Sequence, residues 1–239
     1  MRNISEKFLK KFYSSEEHPY RIYEATIQKY IREDGVILDA GCGKSAAVLK
    51  AIIGNRNFGV GLDIGSFNNL TDKNKRISLI NNNLSKISIK DGSIDMVISR
   101  SVFEHLEKPE KAYSEICRIL KPEGFFILLT PNLFDYSSLL SKIIPNRFHS
   151  KIVKITEGRN EDDTFPAYYK TNTRNHIAHL SKLSGLRLIS IKMLGQYPSY
   201  FLFNPFLFLT GVAYDKIIGK INLLSFLRGW ILAVLKKDS

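Results

Sequence analysis

A sheet of mostly parallel strands with helices on both faces is the architecture this sequence predicts, and three observations point to it. Short apolar runs alternate with amphipathic helical stretches from Val36 to Pro131. The first run, "VILDA", feeds a glycine turn, "GCG", ahead of a helical pattern, the kind of junction where open α/β sheets take ligands. After an irregular stretch the alternation resumes with a helix, "NTRNHIAHLSKLSG", and a strand, "LRLISIKML".

At the N-terminus, Phe8, Leu9 and Phe12, then Ile22, Tyr23, Ile27, Tyr30 and Ile31, recur at helical spacing and predict two helices, broken at "SSEEHPY" by Pro19. "VILDA" is a short buried strand, and "KSAAVLKAII" is the helix after the turn, ended by Gly54. "FGVGLDI" is the second strand, with a loop or short helix rich in Asn and Lys behind it. "ISLINN" and "SIDMVIS" are strands three and four, "EKAYSEICRIL" is a helix closed by "KPEG", and "FFILLT" is a fifth strand stopped by Pro131. Beyond it, little periodicity and many aromatics mark an insertion lying over the open end of the sheet. "WILAVLKK" is the last strand, and the segment joining it to "LRLISIKML" is far longer than a hairpin turn.

At 239 residues, 44% hydrophobic and 24% charged, the chain can bury a substantial core without staples. Its two cysteines, Cys42 and Cys117, fall in the glycine turn and in a predicted helix, so a reducing compartment is expected. The N-terminal "MRNISEKFLKKFYSSEEHPY" has no uninterrupted apolar core, which argues against a secretory signal and for a cytoplasmic location. A net charge of +12 favours anionic contacts in general. The basic residues are nevertheless scattered over every helix with no basic-aromatic recognition strand, so nucleic acid is not an expected partner.

Three ligands compete for the turn "DAGCGKSA". A P-loop ending at Gly43-Lys44-Ser45 needs its first glycine at position 38, which is Leu. A dinucleotide fingerprint fits Gly41, Gly43 and Ala46, with Asp63 roughly 20 residues on. Against it, Asp39 would set a carboxylate beside an incoming pyrophosphate, whereas the same carboxylate suits a cationic ligand. The plain alternative for the two glycines is a tight strand-to-helix turn.

Downstream, "DGSIDMVISRSVFEHLEKPEKAYSEICRILKPEGFFILLTPN" adds a second half to the pattern. Together with "LDAGCG", it resembles the class I S-adenosylmethionine-dependent methyltransferases, in particular the type 11-like subgroup, over Val36 to Asn132. The resemblance implies a Rossmann-like fold: a seven-stranded mostly parallel sheet with the last strand antiparallel, plus a helical cap and insertions. It implies S-adenosylmethionine as cofactor. Gly41 and Gly43 would let backbone approach its methionine part, Asp39 would face its amino group and sulfonium, and Asp63 would accept from both ribose hydroxyls. Ile64 would offer an apolar face to the adenine, with Asn83 and Leu84 near its amino group. Asn83 departs from the acidic residue common there, yet its amide oxygen can accept the same hydrogen bond. Enzymes of this class that act on base amino groups carry Asp/Asn-Pro-Pro-Tyr/Phe after strand four, where this chain has "SRSVFEH".

If the acceptor is a hydroxyl, a positioned base should help, and His105, following strand four, is the first candidate, with His149 in the insertion the second. His176 and His179 lie on an amphipathic helix without a Cys or carboxylate cluster, so no metal is expected. The stretch "RFHSKIVKITEGRNEDDTFPAYYKTNT" is similar to that of bacterial methyltransferases of surface-polysaccharide and lipid-linked glycan biosynthesis, which implies Arg147, Asp163, Tyr168 and Tyr169 near the acceptor.

"YPSYFLFNPFLFLTGVAY" is nearly free of charge and rich in Phe, and Lys216, Lys220 and Arg228 follow it. Pro198, Asn204 and Pro205 interrupt it, so a membrane span is disfavoured. Residues 197–228 then either pack against the sheet or a homodimer partner, or form a peripheral patch on the inner face of a membrane. The expected organisation is one domain: a helical cap over 1–34, a cofactor-binding core over 35–135, an acceptor-side insertion over 136–171, and a C-terminal part over 172–239 holding a hydrophobic insertion at 196–229. The expected activity is O-methylation of a glycan, lipid-linked saccharide or similar small acceptor. A quinone or polyprenyl lipid as acceptor is the enzymatic alternative, and a non-catalytic membrane-associated module of the same fold is the other.

Overall fold

A computed structural model of the chain describes residues 2–67, 76–136, 138–139, 165–198 and 201–239. In chain order the elements are α1 (Arg2–Phe12), α2 (Pro19–Tyr30), β1 (Val36–Ala40), α3 (Ala47–Ile52), β2 (Phe58–Asp63), β3 (Ile77–Asn81), β4 (Ile94–Arg100), α4 (Pro109–Ile119), β5 (Leu120–Pro131), α5 (Arg174–Ser184), β6 (Leu186–Leu194), α6 (Pro205–Lys220) and β7 (Trp230–Lys237). The strands form one seven-stranded sheet in the order β3-β2-β1-β4-β5-β7-β6, mostly parallel with the last strand antiparallel, as the sequence predicts.

The chain divides into two compact units. One joins Tyr23–Thr130, Tyr168–Lys192 and Ile231–Ser239, and carries most of the sheet. Here β1 lies between β2 and β4, with Leu38 opposite both Val60 and Val97. A central parallel strand is covered on both faces, which is why "VILDA" is almost uniformly apolar and why Ile37, Leu38 and Ala40 are buried. Phe126 to Leu129 of β5 and Ile231 to Leu235 of β7, both interior strands of the sheet, are buried likewise. Phe103, Tyr113 and Phe126 pack edge to face or tilted around ring centroids 5.4–5.5 Å apart, and α4 packs on α5.

Three boundaries differ from the periodicity. Pro19 does not merely break a helix but starts α2, because its fixed φ suits a first helical position and its missing N–H is not needed there. The helix after the glycine turn begins at Ala47, not Lys44, because Ala46 sits in the left-handed region (φ 46°, ψ 45°) and interrupts the helical run. β5 starts at Leu120 and contains "KPEG" as a bulge: Ile94 pairs with Leu120 and Met96 with Phe125, and Glu123 takes a positive φ of 66° in the extra loop.

The other unit joins Met1–Ile22, Pro131–Ala167 and Met193–Trp230. Tyr13, Phe208 and Val212 form its core, with Phe8, Leu9, Phe12, Tyr197, Phe201 and Leu202 packed around them. Asp215 is buried there yet satisfied: Tyr13 donates its hydroxyl to Oδ2 at 2.8 Å and the Gln196 N–H donates to Oδ1 at 3.0 Å. Asn204 caps α6 by accepting from the Phe206 and Leu207 N–H groups, and Pro205 fills the first turn.

Tyr113 is wholly buried in the sheet-bearing unit, and its hydroxyl has no hydrogen-bond partner. A buried orphan hydroxyl costs more than it contributes. Tyr113→Phe is therefore expected to stabilise the fold by about 1 kcal/mol, read as a rise in the urea midpoint at unchanged slope; a fall would mean the hydroxyl is bonded.

Candidate cofactor and acceptor site

The carboxyl ends of β1, β2, β4 and β5 bring the chemistry of the sheet-bearing unit together. At β1, the Gly41 and Cys42 N–H groups both donate to the Leu62 carbonyl, at 2.7 and 3.1 Å, so the turn folds back on the end of β2. Gly41 has φ +84°, and a Cβ there would lie 2.2 Å from Val102 Cγ2, so only glycine fits. Gly43, at φ +65°, meets nothing within 4 Å in its Cβ direction, so what it supplies is backbone conformation and open approach. Its N–H donates to Asp63 Oδ2 at 2.8 Å, and the Gly65 N–H donates to Asp63 Oδ1 at 2.9 Å. Each oxygen of Asp63 thus keeps a lone pair for a hydroxyl donor. Ile64 beside it is 58% exposed, an apolar side chain at the site's edge.

Asp39 is the electrostatic centre of the turn. It is 2% exposed, and its Oδ2 has no hydrogen-bond partner. Burial pushes its carboxyl up to about 7; the Arg100 guanidinium pulls the other way, and the Asp63 charge adds to the rise. Tyr23 of α2 is also wholly buried, and its hydroxyl is held protonated by burial first and by the Asp39 charge second. Arg100, which ends β4, stands 3.8 Å from Glu24. Burial likewise pushes the Cys42 thiol up to about 12, with Asp39 and Asp63 adding to it, so this cysteine is an inert packing group.

Beyond β3, Asn83 is exposed, and its amide oxygen accepts from the Ser85 N–H at 2.8 Å, leaving one lone pair for a ligand. Leu84 is buried, so its side chain belongs to the core and only its backbone faces outward chemistry.

A second polar cluster sits past β4 and β5. Phe103–His105 form a single 3₁₀ turn in which Glu104 is 6% exposed and His105 stays half-buried. Glu104 Oε2 accepts from Thr130 Oγ1 at 3.3 Å, and Thr130 Oγ1 accepts in turn from Asn172 Nδ2 at 2.8 Å. The Glu104 carbonyl accepts from the Tyr168 and Tyr169 N–H groups, at 2.8 and 3.1 Å. Burial raises the Glu104 carboxyl to about 7.

The structure thus brings Asp39, Gly41, Gly43, Asp63 and Ile64 to one edge, and His105, Tyr168 and Tyr169 to one turn. His149, Arg147 and Asp163 lie outside the described residues. Sequence reading missed Tyr23, Arg100, Glu104, Thr130 and Asn172. Tyr23 registers only as part of a helical apolar stripe, and Glu104 as one acid among many. Arg100 did leave a signal, a charge at the carboxyl end of an otherwise apolar strand.

The seven-stranded open sheet, with a glycine turn after β1 and an acidic residue ending β2, has the Rossmann-like fold of class I S-adenosylmethionine-dependent methyltransferases. Residues 38–128 match the family model of the methyltransferase domain. A protein of Mycolicibacterium smegmatis named "Probable S-adenosylmethionine-dependent methyltransferase" is 30% identical over 122 residues, 51% of this chain and 47% of that one. The chain spans about half the length of the curated relatives it matches. Among solved structures, it is similar in fold to the Burkholderia thailandensis 1,6-didemethyltoxoflavin-N1-methyltransferase with bound S-adenosylhomocysteine (12% identity, TM-score 0.57, 94% of this chain and 80% of that one). It is similar also to the cyclase SpnF (13% identity, TM-score 0.56, 91% and 80%). S-adenosylmethionine is the cofactor of this class, and the residues fit it: the partnerless buried oxygen of Asp39 lacks the cation that such a ligand carries.

The folded carboxyl of Asp39 titrates near 7, above its ordinary 3.8, so the folded chain holds that proton more tightly than the unfolded one. Its ionisation costs nothing at low pH, and the cost grows as pH rises through this window and is complete above it. Asp39→Asn should therefore stabilise the free protein above pH 7 by a few kcal/mol, on the order of 1.4 kcal/mol for each tenfold by which folding tightens the proton's hold, and leave it nearly unchanged near pH 4. Thermal melts at both pH values check this; equal stability at high pH would remove the buried charge from the account.

Proposed function

We propose that this chain transfers the methyl group of S-adenosylmethionine to a hydroxyl of a glycan, a lipid-linked saccharide or a similar small acceptor. The observation that carries the first half of this reading is the buried carboxylate of Asp39, its Oδ2 without a hydrogen-bond partner, behind a glycine turn. An amino group and a sulfonium are the charges that such a carboxylate stabilises, and a pyrophosphate is not. Arg100, which already feels the Asp39 charge, would meet the carboxylate of the methionine part. Asp63 would accept from the ribose hydroxyls, Ile64 would cover the adenine, and Asn83 and the Leu84 backbone would read its edge.

The bound cofactor supplies an electrophilic methyl group on a sulfonium, which moves to the acceptor oxygen while sulfur keeps the bonding pair. The chain's part is to orient the acceptor and take its proton, and orientation alone contributes several kcal/mol. His105 is the proton acceptor, and Tyr168 and Tyr169, tied to the Glu104 carbonyl, line the acceptor side. His149, Arg147 and Asp163 join this reading on sequence alone. Calorimetry with S-adenosylmethionine tests it: wild type should bind, and Asp39→Asn should bind at least tenfold more weakly, the loss of about one charge-assisted contact. Absence of binding by a folded wild type would favour a non-catalytic module instead.

One observation favours an acceptor held at a membrane, a lipid-linked saccharide or a quinone-type lipid. Phe206, Leu209, Ala213, Ile217 and Ile221 recur at helical spacing along the exposed side of α6 and just past it, with Phe206 75% and Leu223 83% exposed. The opposite side carries Phe208 and Val212 into the unit's core. Lys216 and Lys220 border the stripe, and α1, which packs on α6, exposes Lys7, Lys10 and Lys11. Apolar side chains flanked by ammonium groups suit an anionic bilayer surface. No helix of the described residues is long and apolar enough to cross a membrane, so the contact is peripheral. The double variant Phe206→Ser with Leu223→Ser should co-sediment several-fold less with vesicles containing anionic phosphatidylglycerol. Undiminished sedimentation would overturn the membrane contact, and concentration-dependent dimerisation lost in the same variant would assign the stripe to a second copy.

A further inference from the structure

We infer that Glu104 is a positioning residue for His105, the end of a buried hydrogen-bonded chain that holds this histidine ready to accept a proton. The inference rests on the proposed hydroxyl acceptor and names the group that makes His105 able to serve it.

The geometry is that of a carboxylate behind an imidazole. His105 Nε2 lies 4.0 Å from Glu104 Oε1, and the histidine is half-buried while the carboxylate is buried. The other oxygen of Glu104 is held by the Thr130 hydroxyl, whose own oxygen is held by the Asn172 amide. Because the Asn172 amide donates to Thr130, the only proton Thr130 can offer points at Glu104, so the direction of the chain is set. It ends on a carboxylate whose other oxygen, Oε1, is the one nearest the imidazole. The backbone of the same residue receives the Tyr168 and Tyr169 N–H groups, and Tyr169 is held at a φ of 53°, a left-handed conformation a tyrosine rarely takes. On that packed segment the Lys170 ammonium is turned away, donating to the Glu107 carbonyl at 2.8 Å.

Four separate segments converge on Glu104: the turn after β4, the end of β5, the Tyr168-Tyr169 pair and the residue that precedes the α5 cap. Burying a carboxylate is costly unless a charge of opposite sign forms beside it. When the acceptor O–H bond breaks and its proton bonds to His105 Nδ1, the imidazolium that forms turns its Nε2–H toward Glu104 Oε1, and the carboxylate gains a positive charge beside it. Burial raises the Glu104 carboxyl although a backbone N–H and the Thr130 hydroxyl pull the other way, so a positive charge beside it would favour its ionised form. A methyl acceptor that carries no proton to lose, such as a thioether or tertiary amine, would have no use for the arrangement.

The test reads the histidine itself. In protein labelled on its histidine rings, the resonance of His105, assigned by its loss in His105→Asn, is titrated by NMR from about pH 5 to about pH 9. Its midpoint should fall by about one pH unit in Glu104→Gln, with the other histidines unmoved. Thr130→Val, which weakens the hold on the ionised carboxylate, should give a smaller fall in the same direction and serves where the first variant does not fold. A midpoint unchanged in a folded variant would overturn the inference and leave Glu104 a structural residue. Binding of S-adenosylmethionine by wild type is measured in parallel: its absence would count against the proposed function, and the histidine titration would still decide the role of Glu104.

Discussion

The parallel pairing of β1 with β2 on one side and β4 on the other is the constraint from which the rest follows. Because all three strands point the same way, their last residues lie along one edge, and β5, paired in parallel with β4, adds its own. Asp39, Asp63, Arg100 and Thr130 end or nearly end those four strands, so residues far apart in sequence become neighbours through register alone. The connections leaving β1 and β4 diverge to opposite sides at this point, which opens the crevice that ligands of such sheets occupy. The glycines complete it, since Gly41 and Val102 could not share that space if position 41 had a side chain.

The same edge holds two carboxyl groups, Asp39 and Glu104, that burial raises to about 7. Neither is explained by the needs of folding. A buried acid satisfied on all sides would contribute specificity at small cost, as Asp215 does in the other unit with Tyr13 and Gln196 on its two oxygens. Asp39 instead has no hydrogen-bond partner on Oδ2, and Glu104 is held by Thr130 on Oε2 with its Oε1 4.0 Å from His105. Groups arranged this way destabilise the empty protein and become favourable only when a positive charge arrives, a standing charge in the first case and a transient imidazolium in the second. On the proposed reading the pair would divide the work, Asp39 binding the cofactor and Glu104 supporting the proton transfer.

Most of this edge is legible in the sequence because its parts have local signatures. "VILDAGCG" announces a buried strand, an acid and a glycine turn in eight residues, and Asp63 ends the next apolar run. What local patterns cannot carry is partnership. Tyr23 is an apolar-stripe residue of α2 until the fold sets it in the field of Asp39. Glu104 in "VFEHLEKPEK" is one of several acids until burial and Thr130 single it out. Boundaries fail for a similar reason: Ala46 gives no sequence hint of a left-handed conformation, and "KPEG" reads as a helix stop although pairing of Leu120 with Ile94 makes it a bulge inside β5.

A fold shared with a cyclase as well as with methyltransferases shows that the sheet and its glycine turn are not a reaction. What distinguishes reactions on such a frame is how protons and acceptors are handled at its rim. In this chain the rim carries a buried hydrogen-bonded chain ending on Glu104, beside His105, and the other unit carries an exposed apolar stripe on α6 beside ammonium groups. On the proposed reading, a hydroxyl acceptor would use the first feature and an acceptor carried on an anionic surface the second. A freely diffusing acceptor that has no proton to lose uses neither. The two features are built from different segments and cost stability separately, one by burying a carboxylate and the other by exposing large apolar side chains.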